Sequence, residues 1–303
     1  MNLKKYFLEL TIFFSGAVVM IFELAGSRIL GPYFGTSVFV WTSLIGIILA
    51  SLSLGYYIGG IISDIEANTK KLSLIFFSSA VFILITIFLK DILLSLLQES
   101  GLSIKLGSLL ASFILFSPAS ILLGVITPYA VKLKLKNLEN SGTTIGTLYA
   151  ISTIGSIFGT FLAGFYLIPN FGVTNILFIL VFILMLISFL LSLKQLLKKK
   201  FFVIVVVLVI WVFYCSNSSA LENKNYYKFD TLYNHVEVYD VITKNKKESA
   251  RVLRINNNFS SAMFLEKEDL VFEYTKYYNL AEHFIPNFKN ALMIGGAAYS
   301  YPK

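Results

Sequence analysis

A strand-like apolar run, Asn290-Ala291-Leu292-Met293-Ile294, opens into Gly295-Gly296-Ala297-Ala298. A glycine turn after a strand lets backbone approach a ligand. A helix that follows such a turn points its positive N-terminus at it, which is how many α/β domains begin a nucleotide-type site. Alone, a glycine pair after an apolar strand is a weak signal. Three charged residues also stand in apolar surroundings: Glu23 and Arg28 in or near the first long apolar run, and Asp64 closing the second, after Gly59-Gly60-Ile61-Ile62-Ser63. A charge in mid-membrane costs about 2.5–3.5 kcal/mol on insertion scales, so such residues usually have a partner or a task. Glu23 and Arg28 are five apart, about 140° around a helix, so they do not face each other. Arg28 sits beside Gly31-Pro32, where it can snorkel to the interface. Asp64 reads equally well as an interfacial cap near Lys70 and Lys71. His235 and His283 are the only histidines, with no cysteine or carboxylate at ligand spacing, so no metal site is expected.

The elements that position these residues are mostly greasy. Hydrophobic residues make up 56% of the 303 positions, and mean hydropathy is +0.76, an excess over soluble domains that lipid-facing surface explains. A helix needs about 20 residues to cross the hydrocarbon core. About seven candidate spans meet or approach that length, near 6–30, 37–63, 72–96, 106–131, 145–168, 173–193 and 201–215, the last being short. Pro118 and Pro128 in the fourth predict a kink or a break. Glycines four apart, Gly55 and Gly59, Gly142 and Gly146, Gly155 and Gly159, predict close helix–helix packing.

The formal charge of +8 does not signal nucleic acid, because the lysines cluster between apolar runs and in the tail. Lys4 and Lys5, Lys70 and Lys71, Lys132, Lys134 and Lys136, and Lys194 with Lys198, Lys199 and Lys200 occupy alternate connections. The loops at 31–37 and 169–172 carry neither lysine nor arginine. That alternation predicts a multi-pass protein of the cell membrane with a cytoplasmic N-terminus. Seven crossings would then put the tail outside the cell. Cys215, the single cysteine, excludes an intrachain disulfide.

The composition changes near residue 216. Val236-Glu237-Val238-Tyr239 alternates like a half-buried strand, Lys244-Asn245-Lys246-Lys247 suits a turn, and Arg251-Val252-Leu253-Arg254-Ile255 is a second strand, so a hairpin is expected. Leu270, Tyr274, Tyr277, Ala281 and Phe284 recur at three- and four-residue steps and predict a helix over 266–284. Pro286 ends it, and the strand before Gly295 follows.

The string Glu23-Leu24-Ala25-Gly26-Ser27-Arg28-Ile29-Leu30-Gly31-Pro32-Tyr33-Phe34-Gly35-Thr36-Ser37 continues to Trp41-Thr42, to Ser53-Leu54-Gly55-Tyr56-Tyr57-Ile58-Gly59-Gly60 and to Asp64. It resembles the membrane domain of the fused membrane spermidine synthases of bacteria. The tail agrees, with Tyr274-Thr275-Lys276-Tyr277-Tyr278 and then Ile294-Gly295-Gly296-Ala297-Ala298-Tyr299-Ser300-Tyr301-Pro302. The resemblance implies an aminopropyltransferase: a small β domain ahead of a Rossmann-like methyltransferase fold, with decarboxylated S-adenosylmethionine as co-substrate, putrescine as acceptor and no metal. Gly295, Gly296, Ala297, Ala298 and Tyr274 would line the ligand. The chain departs from the family at Ala297, where a third glycine is usual, and at Tyr274-Thr275-Lys276, where soluble synthases carry tyrosine, histidine and glutamate. The family's catalytic aspartates belong to segments after Lys303.

The expectation is therefore an all-α polytopic membrane domain, residues 1–215, followed by an incomplete α/β region, residues 216–303. That region holds a small β-hairpin element and the first strand of a Rossmann-like fold. It would be a fragment, inactive alone, embedded in the lipid bilayer and completed by a separate chain carrying the rest of the synthase domain. Two other readings stand beside it. One is a polyamine or small-molecule transporter or channel with a vestigial tail, motivated by Glu23, Arg28 and Asp64. The other is a methyltransferase-like enzyme, since the same turn serves both chemistries.

Overall fold

A computed structural model describes residues 3–135, 141–191, 226–231, 234–242, 248–256, 258–267, 269–285, 290, 292 and 295. The chain divides into two compact units, Met1–Tyr214 and Cys215–Lys303.

The first unit is helical. Its long helices are α1 (Leu3–Phe34), α2 (Val38–Ile65), α3 (Thr69–Glu99), α4 (Ile104–Lys134), α5 (Ser141–Asn170, with a π-helical turn at Ala163–Leu167) and α6 (Val173–Leu191). All six are long and apolar enough to cross a membrane, so the described residues hold six candidate spans against the seven expected. The 201–215 run lies outside the described residues. Polar caps set the boundaries. The Asn68 side chain accepts from the Lys70 and Lys71 amides at 2.8 and 3.0 Å and starts α3, and Ser103 caps α4 through the Leu106 amide.

Small residues decide which helices touch. α2 and α4 run parallel: a Cβ on Gly59 would lie 2.8 Å from Val125 O and from Pro128 Cγ, and one on Gly124 would lie 2.7 Å from Leu52 O. Ser51 donates to Ser117 at 3.0 Å along the same seam. α1 and α5 also run parallel, with Gly155 against the Phe13 backbone and Gly159 against that of Ala17. Two of the three predicted glycine pairs therefore pack helix on helix. Gly142 and Gly146 have nothing within 4 Å of where a Cβ would stand, so that pair corrects the expectation. Four-residue spacing permits contact but does not create a partner. The break allowed for at the prolines does not occur. α4 is continuous through Pro118 and Pro128, and it is the most buried of the six. Packing along its length supplies what two missing backbone donors remove.

The hydrogen bonds and ion pairs sort the helix ends. Lys134 pairs with Glu9, Lys132 with Asp64 at 2.7 Å, and Glu66 with Lys71 at 2.7 Å. The buried Tyr129 hydroxyl donates to Glu66 O at 2.8 Å and accepts from the Asn68 amide at 3.1 Å. Ser73 and Ser188 exchange hydrogen bonds to each other's carbonyls at 2.7 Å. The start of α1, the α2–α3 connection and the ends of α4 and α6 thus share one end of the bundle. At the other end Phe34 covers Gly107, and Ser43 and Ser108 lie 3.2 Å apart.

The second unit contains a four-stranded antiparallel sheet in the order β1 (Tyr226–Asp230), β2 (His235–Ile242), β3 (Ser249–Ile255) and β4 (Asn258–Phe264). β2 and β3 are the two predicted strands, paired from Val236↔Ile255 to Ile242↔Ser249; the predicted turn at 244–247 lies outside the described residues. The predicted long helix is corrected. Among the described residues the helical turns cover only its second part, running from Glu273 to Phe284 as α7 (Glu273–Lys276), a 3-10 turn at Tyr277–Asn279 and α8 (Leu280–Phe284). Leu270 instead forms a bridge with Met263 of β4, because the backbone donors and acceptors of an edge strand capture the segment beside them. Most of the predicted Ala291–Ile294 strand lies outside the described residues.

Candidate functional site

Gly295 adopts φ +74°, a left-handed conformation that side-chain-bearing residues rarely take. It is exposed, with nothing within 4 Å of a built Cβ. A left-handed, open glycine is what a turn that presents backbone to a ligand requires. Gly296, Ala297 and Ala298 lie outside the described residues. Tyr274, on α7, is exposed, and its ring stacks on Phe272 at 5.7 Å between centroids. Beside it the short helical turns frame a shallow open depression bordered by Glu273, Lys276, Tyr277 and His283.

The sheet carries a charge pattern that the sequence reading missed. Asp240 of β2 and Arg251 of β3 are directly opposed in register. The guanidinium donates to the two carboxylate oxygens at 2.8 and 3.0 Å. That hydrogen bond holds the Asp240 carboxyl below the usual carboxylate range and pushes Arg251 up. On the other face, Glu237 lies 3.3 Å from His235 Nε2 and 3.5 Å from Arg254. Lys267 reaches Glu248 at 2.8 Å and Asp269 at 3.2 Å, and its ammonium is raised chiefly by the Glu248 hydrogen bond. Opposite charges set across two alternating strands would have revealed the first pair once the register was known. His235 is half-buried beside Glu237, while His283 is exposed against the Phe284 ring. Among the described residues no group of three or more histidine, cysteine or acidic side chains could hold a metal ion.

In the helical unit Asp64 ends α2 and pairs with Lys132 of α4, an interfacial ion pair. Two residues on, Glu66 is pulled below its ordinary value by hydrogen bonds from Lys71 and Asn68. Glu23 and Arg28 both lie half-buried along α1. Glu23 is about 21 Å along the axis from Glu9, which marks the Asp64 end of the bundle, so these polar candidates form no single cluster. Among the described residues no hydrogen bond or ion pair involves Glu23. Compared with protein-family models, curated proteins and solved structures, the chain matches none.

Proposed function

We propose that the chain is the membrane-embedded part of an aminopropyl-transferring enzyme of the spermidine synthase type. Its six spans hold a soluble unit that binds decarboxylated S-adenosylmethionine, with putrescine as acceptor. What supports the reading is the order of elements in the second unit: an antiparallel sheet, then Tyr274 on a helical turn, then a left-handed glycine at 295. In this chemistry an amine nitrogen attacks the carbon beside the sulfonium. A C–N bond forms, the C–S bond breaks, the sulfur leaves as a neutral thioether, and the ammonium proton passes to a base. Gly295, with Gly296, Ala297 and Ala298, would approach the sulfonium ligand, and Tyr274 would flank it. The acids that receive the amine proton are ones the resemblance assigns to positions after 303, carried on this reading by a further segment or chain.

On this reading the N-terminus is cytoplasmic; what supports it is that lysine-rich connections gather at its end of the bundle. The six candidate spans among the described residues bring Leu191 back to the side on which α1 begins, which on this reading is the side of a cytosolic sulfonium compound.

Equilibrium dialysis of the purified chain in nanodiscs tests the proposal. Saturable binding of decarboxylated S-adenosylmethionine is expected, with at least tenfold loss in Gly295→Val and no spermidine formed by the chain alone. Absence of binding overturns the reading. Tighter binding of S-adenosylmethionine itself would favour methyl transfer.

A further inference from the structure

We propose that Glu23 is the anchoring carboxylate of a site for organic ammonium ions, set in a cleft between α1, α4 and α5 within the membrane. This inference stands apart from the sulfonium site and does not rest on it.

Depth comes first. The Glu9–Lys134 ion pair belongs at the membrane interface. The apolar span runs on to Phe34. Any stretch of about 20 residues that starts after Glu9 and ends by Phe34 contains Glu23. The carboxylate is therefore inside the hydrocarbon core, where ionisable groups mark ion or substrate paths. It is also unsatisfied, since no described hydrogen bond or ion pair involves it.

The packing around α1 supplies the cleft. Ile12, Ala130 and Leu148, from α1, α4 and α5, close into a buried cluster near one end. Eleven residues make three helical turns plus about 20°, so Glu23 has nearly the azimuth of Ile12, three turns away. Ile12 is fully buried, whereas Val19, Glu23 and Ser27, farther up that side, are only half-buried. Burial on that side of α1 thus falls between the level of Ile12 and that of Glu23.

The chemistry selects the ligand. One carboxylate matches one positive charge. A bare Ca²⁺ or Mg²⁺ needs about six oxygen ligands, and no acidic or histidine cluster stands there among the described residues. A primary ammonium on an alkyl stem needs one anion and an apolar wall.

The test uses wild-type protein in phosphatidylcholine nanodiscs, a lipid without a primary amine. Dicyclohexylcarbodiimide, which attacks carboxyl groups in apolar surroundings, is followed by peptide mass spectrometry. Labelling at Glu23 is expected to fall at least fivefold with millimolar butylammonium but not with sodium at equal ionic strength. Butylammonium should also raise the unfolding temperature, and Glu23→Gln should abolish both the label and the shift. Labelling indifferent to butylammonium, or no label at Glu23 in the folded protein, overturns the proposal. Should Glu23→Gln fail to fold, the wild-type competition decides alone. Failure to bind decarboxylated S-adenosylmethionine would leave this result untouched.

Discussion

Gly155 and Gly142 are identical in type but not in consequence. At Gly155 a Cβ would collide with the Phe13 carbonyl, while at Gly142 it meets open space. Gly155→Leu should therefore pry α5 from α1 and destabilise the protein by about 1–3 kcal/mol or more, read from denaturation in mild detergent. Gly142→Ala should be neutral or stabilising by up to about 1 kcal/mol, because alanine favours helix. Equal losses would refute the packing described. In the sheet, Asp240 titrates below its ordinary value because Arg251 bonds it. A depressed carboxyl adds stability that is present above its unfolded pKa, about 3.9, and is lost as pH falls through the lower folded value. Asp240→Asn should accordingly speed hydrogen exchange in β2 and β3 at pH 7 and make little difference near pH 2. A mutational effect independent of pH would show that the carboxylate charge is not what acts there.

Between elements, α4 organises the helical unit. Tyr129 ties the α2–α3 connection to α4 through Glu66 O and the Asn68 amide. Tyr129→Phe removes both bonds yet keeps the ring. It should raise exchange at residues 66–68 by an amount matching about 1–2 kcal/mol, with the other connections unchanged. α3 and α6 are joined by the reciprocal Ser73–Ser188 bonds. Interhelical hydrogen bonds in membranes average about 0.6 kcal/mol and reach about 1.7. Ser73→Ala should fall in that range, and adding Ser188→Ala should cost about as much again, because each hydroxyl donates to the other residue's backbone carbonyl, which the first substitution leaves in place. A second loss near zero would mean that the two hydroxyls act only as a pair. The continuity of α4 through two prolines belongs to the same scale, since a proline breaks a helix only where nothing else holds it.

At the scale of the molecule, the six candidate spans among the described residues divide their connections between two sides. On a background of Cys215→Ser, cysteines placed at Asn68 and Ser141 should react with a membrane-impermeant maleimide from one side of oriented vesicles. Cysteines at Gly35 and Gly101 should react from the other side. On the orientation proposed above, the first pair is the cytoplasmic one. Labelling of Asn68 and Gly35 from the same side would overturn the six-span arrangement.

Some of this was legible in the residues. Runs of about 20 apolar residues suffice to mark a span, because lipid leaves the backbone no partner but its own helix. Alternation in Val236–Tyr239 and Arg251–Ile255 was enough to mark two paired strands. Tertiary structure decided what local pattern leaves open. Gly55, Gly59, Gly155 and Gly159 found partners while Gly142 and Gly146, at the same spacing, did not, since contact depends on where another helix stands. Leu270 has the helical period but joined β4, because a strand edge offers hydrogen bonds that periodicity does not report. The Asp240–Arg251 pair likewise arises from strand register, and the half-burial of Glu23 from how neighbouring helices pack, both set between segments and not within them.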